Sequence, residues 1–113
     1  MHELRLAPDF NKEFAELRVK AAKGNGEARY LLEITKKGMA KLAANPEAGI
    51  HIPKRLVPRE YLLKFGVTNL WKLNLDRYWR LIYTLQGDSV KLFCVVLEVL
   101  DHKKYDKKFG YHT

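Results

Sequence analysis

Three polar side chains in the last third of the chain, Lys72, Arg80 and His102, have the chemistry that phosphate transfer requires. An arginine is always charged and presents a fork of donors to phosphate, so Arg80 suits the stabilisation of developing negative charge. A histidine can accept or release a proton near neutral pH, which suits His102 to general acid–base work. Lys72 can hold the reacting phosphate or its neighbour. The three types together indicate chemistry on a nucleic acid backbone.

Five more residues are candidates for contact with RNA or, for the tyrosines, for proton donation: Arg77, Lys103, Lys104, Tyr105 and Tyr111. Each candidate also has a purely structural interpretation. Arg80 can form an ion pair on a solvated face, and Lys72 can protect a sheet edge. His102 can simply occupy the first turn of a helix, while Tyr105 and Tyr111 can anchor a C-terminal helix through their rings.

The elements that must position these residues are three strands followed by a short helix. The segments NLWKLNL, YWRLIYTL and VKLFCVVLEVL alternate apolar and polar residues or are apolar throughout, which predicts strands. Alternation puts Lys72 and Asn74 on one face of the first strand, and the third strand, apolar on both faces, is predicted to be central. Asp101 can cap a helix over DHKKYDKKF, on which His102, Tyr105 and Phe109 share one side.

Upstream of the strands, the pattern predicts two amphipathic helices joined by Gly24-Asn25-Gly26, which is typical of an antiparallel hairpin. The segment from Pro46 to Thr68 is irregular, with a short helix predicted after Pro58 and ending near Gly66. This basic segment can either approach a nucleic acid or cover the sheet edge. At 113 residues, the chain is predicted to form a single domain over residues 1–113.

Composition restricts the classes of function. The net charge is +8, with +5 in residues 1–68 and +3 in residues 69–113, so the whole surface is basic and favours polyanionic partners. The single cysteine, Cys94, excludes an intrachain disulfide and is expected to be a buried apolar residue. No Cys/His spacing suggests a metal site. The first residues lack the apolar core of a signal peptide and no stretch is long enough to cross a membrane, so we expect no membrane association and a cytoplasmic location.

The ordered set W-K-L-x-L, W-R-L-I-Y and V-V-L-E-V-L-D-H-K-K-Y-D resembles the RelE/ParE superfamily of toxin–antitoxin toxins, most closely its RelE and HigB-like branches. The resemblance implies an α+β fold: an N-terminal helical hairpin packed on a small, twisted, mainly antiparallel sheet, with a short C-terminal helix. It places the family's strand lysine on Lys72, its strand arginine on Arg80 and its histidine on His102. The family's C-terminal tyrosine falls on Tyr105 or Tyr111. Asn74 stands where RelE proteins commonly have a second basic residue, and Lys103 replaces the arginine that often follows the histidine.

RelE-type proteins cleave messenger RNA in the ribosomal decoding site without a metal or other cofactor. The resemblance therefore implies an mRNA endoribonuclease (mRNA interferase) that inhibits translation. Arg80, His102 and Tyr105 would be catalytic, and Lys72, Arg77, Lys103, Lys104 and Tyr111 would bind RNA. It also implies an acidic cognate antitoxin, with operator DNA bound only through the toxin–antitoxin complex. Two alternatives stay open: a ParE-like toxin that binds a protein target such as gyrase, and a relative that binds RNA or antitoxin without catalysis.

Overall fold

The structure, a computed structural model, describes residues 2–88 and 90–110. These residues form five strands and four α-helices. In chain order they are β1 His2–Leu6, α1 Pro8–Ala22, α2 Gly26–Ala44, β2 Ile50–Ile52, α3 Arg59–Phe65, β3 Leu70–Asn74, β4 Trp79–Gly87, β5 Leu92–Asp101 and α4 His102–Phe109. No helix within the described ranges combines the length and the apolar character that crossing a membrane demands.

The two long helices are separated at Gly24 and Asn25, within the break that the sequence predicts. Pro8 opens α1, with Asp9 in its first turn where the helix dipole favours an acid. The side chain of Asn25 caps α2 by accepting a hydrogen bond from the Ala28 N–H at 3.0 Å. The helices pack against each other, and Phe10 and Phe14 of α1 lie buried at the sheet.

The five strands form one mixed sheet in the order β1-β5-β4-β3-β2. β1 pairs parallel to β5, and the other three pairings are antiparallel. The register between β4 and β5 shifts at Ile82 and Tyr83, which face Glu98 and Val96, so Leu97 is an extra residue in β5. The predicted antiparallel strands β3, β4 and β5 are therefore confirmed. β5, predicted to be central, is an interior strand between β1 and β4, and β4 is the middle strand.

Helices cover both faces of this sheet. On one face α1 and α2 pack on Leu73, Leu81 and Tyr83. On the other face, α3 and α4 pack on Leu70 and Ile82. The residues that these helices contribute are Tyr61, Tyr105 and Phe109. This second face carries the polar residues of β3 and β4, because side chains alternate along a strand.

Two strands were not predicted, and they change the description of the fold. The prediction of a helical hairpin at the N-terminus is not confirmed, because β1 precedes α1 and α2 and pairs with Leu92–Val96 of β5. The irregular segment contains β2, an edge strand that pairs with β3. The short helix predicted after Pro58 is α3, and it ends at Gly66 in the left-handed conformation with φ of 64°. This segment therefore both extends the sheet and covers one of its faces.

Candidate nucleic-acid interface

Lys72 and Arg80 come together over the ring of Tyr105. Lys72 lies opposite Ile82 and Arg80 opposite Asn74, so the two cations are diagonal neighbours on one face of β3 and β4. The Lys72 Nζ lies 5.0 Å and the Arg80 Cζ 5.9 Å from the centre of the Tyr105 ring. Both distances fall within the range of cation–π attraction, so one ring of α4 organises two cations of the sheet.

Tyr105 packs against the hydrophobic core on the side of its ring away from the two cations. Its ring stacks on Phe109 with centroids 4.5 Å apart, and only 2% of the residue is exposed. The sequence placed Tyr105 on one side of the C-terminal helix with Phe109, and that arrangement is confirmed. The burial leaves Tyr105 beneath the cations, while Lys72 and Arg80 are both half-buried and reach solvent.

Arg80 is fixed by main-chain oxygens at the turn that joins β3 to β4. Its Nη1 donates to the carbonyl oxygen of Asp76 at 3.2 Å and, more weakly, to that of Trp79 at 3.4 Å. Carbonyl oxygens orient the guanidinium but do not neutralise it. The guanidinium of Arg80 is therefore held in position, and the nearby Asp76 carboxylate interacts with its charge.

Asp76 organises the same turn. Its carboxylate accepts hydrogen bonds from the N–H groups of Tyr78 and Trp79 at 2.8 and 2.6 Å, and from the Tyr30 hydroxyl at 2.6 Å. Desolvation opposes ionisation, but these bonds and the charge of Arg80 together lower the pKa of Asp76 below its usual value. The two polar parts of Asp76 thus have separate roles. Its main-chain oxygen binds Arg80, and its carboxylate binds the backbone of the turn. Sequence patterns did not single out Asp76 or Tyr30, which are 46 residues apart.

His102 stands at the first position of α4, directly after the end of β5. Asp101 pairs with Trp79 in the sheet and caps α4 by accepting from the Lys104 N–H at 2.8 Å. The Nε2 of His102 lies 3.0 Å from the Asp106 carboxylate, one helical turn along, and half of the His102 side chain is exposed. The predicted cap is confirmed, and Asp106 is a partner of His102 that the sequence reading did not name.

The other predicted RNA-binding residues lie around this cluster without joining it. Arg77 is exposed in the β3–β4 turn, and Lys103 and Lys104 are exposed on the first turn of α4. Tyr111 lies outside the described residues. The roles assigned to the eight site residues stay predictions. Lys72, Arg80 and Tyr105 form a contact cluster. His102 lies nearby in the chain: Arg80 pairs with Leu100 of β5, and His102 comes two residues after Leu100.

This arrangement has the properties of an anion-binding surface. Lys72 and Arg80 lie over the buried ring of Tyr105. The exposed imidazole of His102, paired with Asp106, follows the end of β5. Fixed cations stabilise developing charge on phosphoryl oxygens, and an imidazole can transfer a proton. Within residues 2–88 and 90–110, no three His, Cys, Asp or Glu side chains gather as metal ligands would.

Comparison with known proteins identifies the fold through its three-dimensional arrangement. No protein-family model matches the sequence, and no curated protein matches it. A solved structure described as the YoeB/ParE toxin from Agrobacterium tumefaciens matches with a TM-score of 0.55, covering 88% of this chain and 98% of that chain at 15% identity. The chain has the fold of this YoeB/ParE toxin. The resemblance inferred from the strand motifs is thereby confirmed at the level of fold.

Proposed function

We propose that the chain is the toxin of a toxin–antitoxin system and that it cleaves messenger RNA on the ribosome. The observation that carries this proposal is the convergence of Lys72 and Arg80 over Tyr105, on a face of the sheet that ends beside His102. The RelE/ParE fold supports the toxin assignment. The reaction type, metal-independent RNA cleavage, is what the resemblance of the strand motifs to RelE-type proteins implies.

The proposed reaction is an internal transesterification. The 2′-oxygen of a nucleotide attacks the adjacent phosphorus and loses its proton to a base, while the bond from phosphorus to the 5′-oxygen breaks. The leaving 5′-oxygen takes up a proton, so the products are a 2′,3′-cyclic phosphate and a 5′-hydroxyl. Such proton transfers contribute about 10²–10⁴-fold to a rate, and fixed charge often contributes more.

In this scheme Arg80 binds the non-bridging oxygens of the reacting phosphate, and Lys72 binds the same phosphate or its neighbour. His102 moves the proton, and Asp106 orients its ring by accepting from Nε2–H, which leaves Nδ1 as the basic nitrogen. Tyr105 positions both cations from below. Its direct participation as a proton donor stays a prediction, as do RNA contacts by Arg77, Lys103, Lys104 and Tyr111.

Dependence on the ribosome fits the geometry of this surface. His102 is exposed at the start of α4, and Arg80 is half-buried at the start of β4, so the cluster is an open face rather than a deep cleft. An open face orients a flexible RNA poorly by itself. A substrate that a larger machine already holds in place gains the advantage of proximity that the surface does not provide. This proposal also locates the protein in the cytoplasm, where ribosomes translate.

A ParE-like toxin that binds a protein target is the second candidate. The observation in its favour is the 2% exposure of Tyr105, together with Asn74 at a position where RelE proteins often carry a basic residue. In that case Lys72 and Arg80 would bind acidic groups of the target. Growth arrest without RNA cleavage would identify this function.

The proposed partner in either case is an acidic antitoxin encoded beside the toxin. A net charge of +8 distributed over the whole chain favours a partner of opposite charge. The antitoxin is expected to be partly disordered before binding, and operator DNA would be bound only by the complex.

The test is to map the 5′ ends of messenger RNA in a translating extract that contains the protein. New 5′ ends inside reading frames are expected with the unaltered chain and are expected to disappear with Arg80→Ala. Lys12→Ala is the matched control, because it removes one exposed positive charge from α1, away from the proposed site. Equal cleavage by Arg80→Ala would exclude the proposed role of Arg80.

A further inference from the structure

An open groove lies between the start of α2 and the start of β4, on the sheet face opposite the Lys72–Arg80–Tyr105 cluster and joined to it by the β3–β4 turn. Its volume is about 640 Å³, within the usual size range of small-molecule sites. It is lined by Gly26, Glu27, Tyr30, Tyr78, Trp79 and Asp101. The lining thus combines three aromatic rings with two carboxylates and contains no lysine or arginine, although the chain as a whole is strongly basic.

The aromatic walls are exposed and yet held in place. Tyr30 is 50% and Tyr78 43% exposed. Tyr30 is fixed by its hydrogen bond to Asp76, and the same carboxylate binds the backbone N–H groups of Tyr78 and Trp79. Tyr78 and Trp79 also meet edge to face with centroids 5.6 Å apart. Rings that are fixed before a ligand arrives bind it with little loss of conformational freedom.

The carboxylates of Glu27 and Asp101 determine which part of a nucleotide fits the groove. They repel a phosphate, and they accept hydrogen bonds from amino groups such as the exocyclic amine of cytosine. The aromatic rings offer faces on which any base can stack. A base inside the groove with its phosphate outside therefore satisfies both the rings and the charges.

The groove is linked directly to the phosphate-binding residue of the proposed function. The carboxylate of Asp76 holds the groove wall, and the main-chain oxygen of the same residue accepts a hydrogen bond from Arg80. The two positions thus lie on either side of one turn. Asp101, which pairs with Trp79 in the sheet and also lines the groove, is the residue before His102.

We infer that this groove is a base-binding subsite, which accepts the base of a nucleotide next to the phosphate bound by Arg80. It prefers bases with an exocyclic amino group over uracil, because Glu27 and Asp101 line it. The inference rests on the proposed function. It assigns to the groove the preference of the proposed nuclease for particular RNA sequences. A basic peptide is the competing occupant, since carboxylates and aromatic rings also bind cations.

The first test measures binding of RNA tetranucleotides to the purified protein, without ribosomes, by titration of intrinsic fluorescence. The unaltered chain is expected to bind tetracytidine more tightly than tetrauridine. Tyr78→Ala is expected to weaken tetracytidine binding at least fivefold, and Tyr78→Phe to retain it, because the ring and not the hydroxyl stacks. Leu63→Ala, which changes another exposed apolar residue on α3, is the matched control and should bind like the unaltered chain.

The second test fills the groove without disturbing the fold. A Cβ atom added at Gly26 meets no other atom within 4 Å, so a larger side chain fits there. Gly26→Leu is expected to weaken tetracytidine binding at least fivefold, while Leu63→Ala on α3 again serves as the control. Thermal unfolding of the variants checks that each one is folded.

Three results would overturn the subsite. They are an absence of tetranucleotide binding at millimolar concentration, equal binding by Tyr78→Ala and Gly26→Leu, and a loss in these variants of binding to a lysine-rich peptide but not to RNA. Arg80→Ala separates this inference from the proposed function. If RNA cleavage does not occur but Arg80→Ala still prefers tetracytidine, the subsite stands and the nuclease function fails.

Discussion

At the scale of single residues, His102 and Tyr105 lie three residues apart on α4 in opposite environments. His102 is half exposed and paired with Asp106, whereas Tyr105 is almost wholly buried. The sequence predicted one shared side for His102, Tyr105 and Phe109, which holds for Tyr105 and Phe109 but not for the exposed His102. It did not predict their exposure, because that depends on how α4 lies across Lys72 and Arg80, residues that are distant in sequence.

From this difference we predict that His102→Ala lowers RNA cleavage on the ribosome by about 10²–10⁴-fold with unchanged stability. Stability should be unchanged because an exposed residue at the start of a helix buries little apolar surface. Single-turnover cleavage and thermal unfolding measure the two properties. Lys107→Ala, an exposed change on the same helix, is the control. Full activity of His102→Ala would remove this residue from the mechanism.

At the scale of elements, the sequence predicted the long and strongly patterned parts of the fold. Both long helices, the three antiparallel strands and the capped C-terminal helix are present because each has a clear period and clear end residues. The two missed strands are short, with five residues in β1 and three in β2. Their strand character comes from pairing with β5 and β3, and such long-range partners are not visible in a local pattern.

The close approach of β2 to β3 leads to a prediction about Gly49. A Cβ atom at this position would lie 2.4 Å from the Lys72 carbonyl oxygen and 2.7 Å from the Tyr83 hydroxyl. Gly49→Ala is therefore expected to lower the free energy of unfolding by about 1–3 kcal/mol, measured by urea denaturation. Gly26→Ala, where the added atom meets open space, should not be destabilised. Equal stability of both variants would contradict the packing at this edge.

At the scale of the whole molecule, the core contains several groups that resist ionisation. Burial raises the pKa of Cys94 to about 11 and that of Tyr83 to about 12, and it also raises the pKa of Tyr61. These groups stay neutral in the folded state but ionise in the unfolded chain near their usual values of 9.0 for cysteine and 10.0 for tyrosine.

The stability that these groups contribute is thus complete below about pH 9 and is lost as the pH rises towards 12. We expect the urea midpoint to fall steadily between about pH 9 and about pH 11. Cys94→Val, which keeps an apolar side chain without a titrating thiol, should reduce the slope. A midpoint that is constant over this range would show that these side chains are accessible to water.

The distributed net charge of +8 leads to a prediction about the antitoxin. If an acidic antitoxin covers the basic surface, its affinity should fall when the salt concentration rises from about 0.05 to about 0.5 M, because salt screens exposed charges. Calorimetric titration with the product of the neighbouring gene measures this dependence. An affinity that does not change with salt would indicate a mainly apolar interface.

Arg80 is the residue on which the proposed cleavage depends most, since the strand motif indicates it and carbonyl oxygens hold it beside Lys72. The most direct measurement is the single-turnover rate of mRNA cleavage on purified ribosomes programmed with a defined message. Arg80→Ala is expected to slow this step by about 10²–10³-fold without loss of stability, because it removes a fixed charge from the transition state. Equal rates for Arg80→Ala and the unaltered chain, or no cleavage by the unaltered chain, would contradict the account.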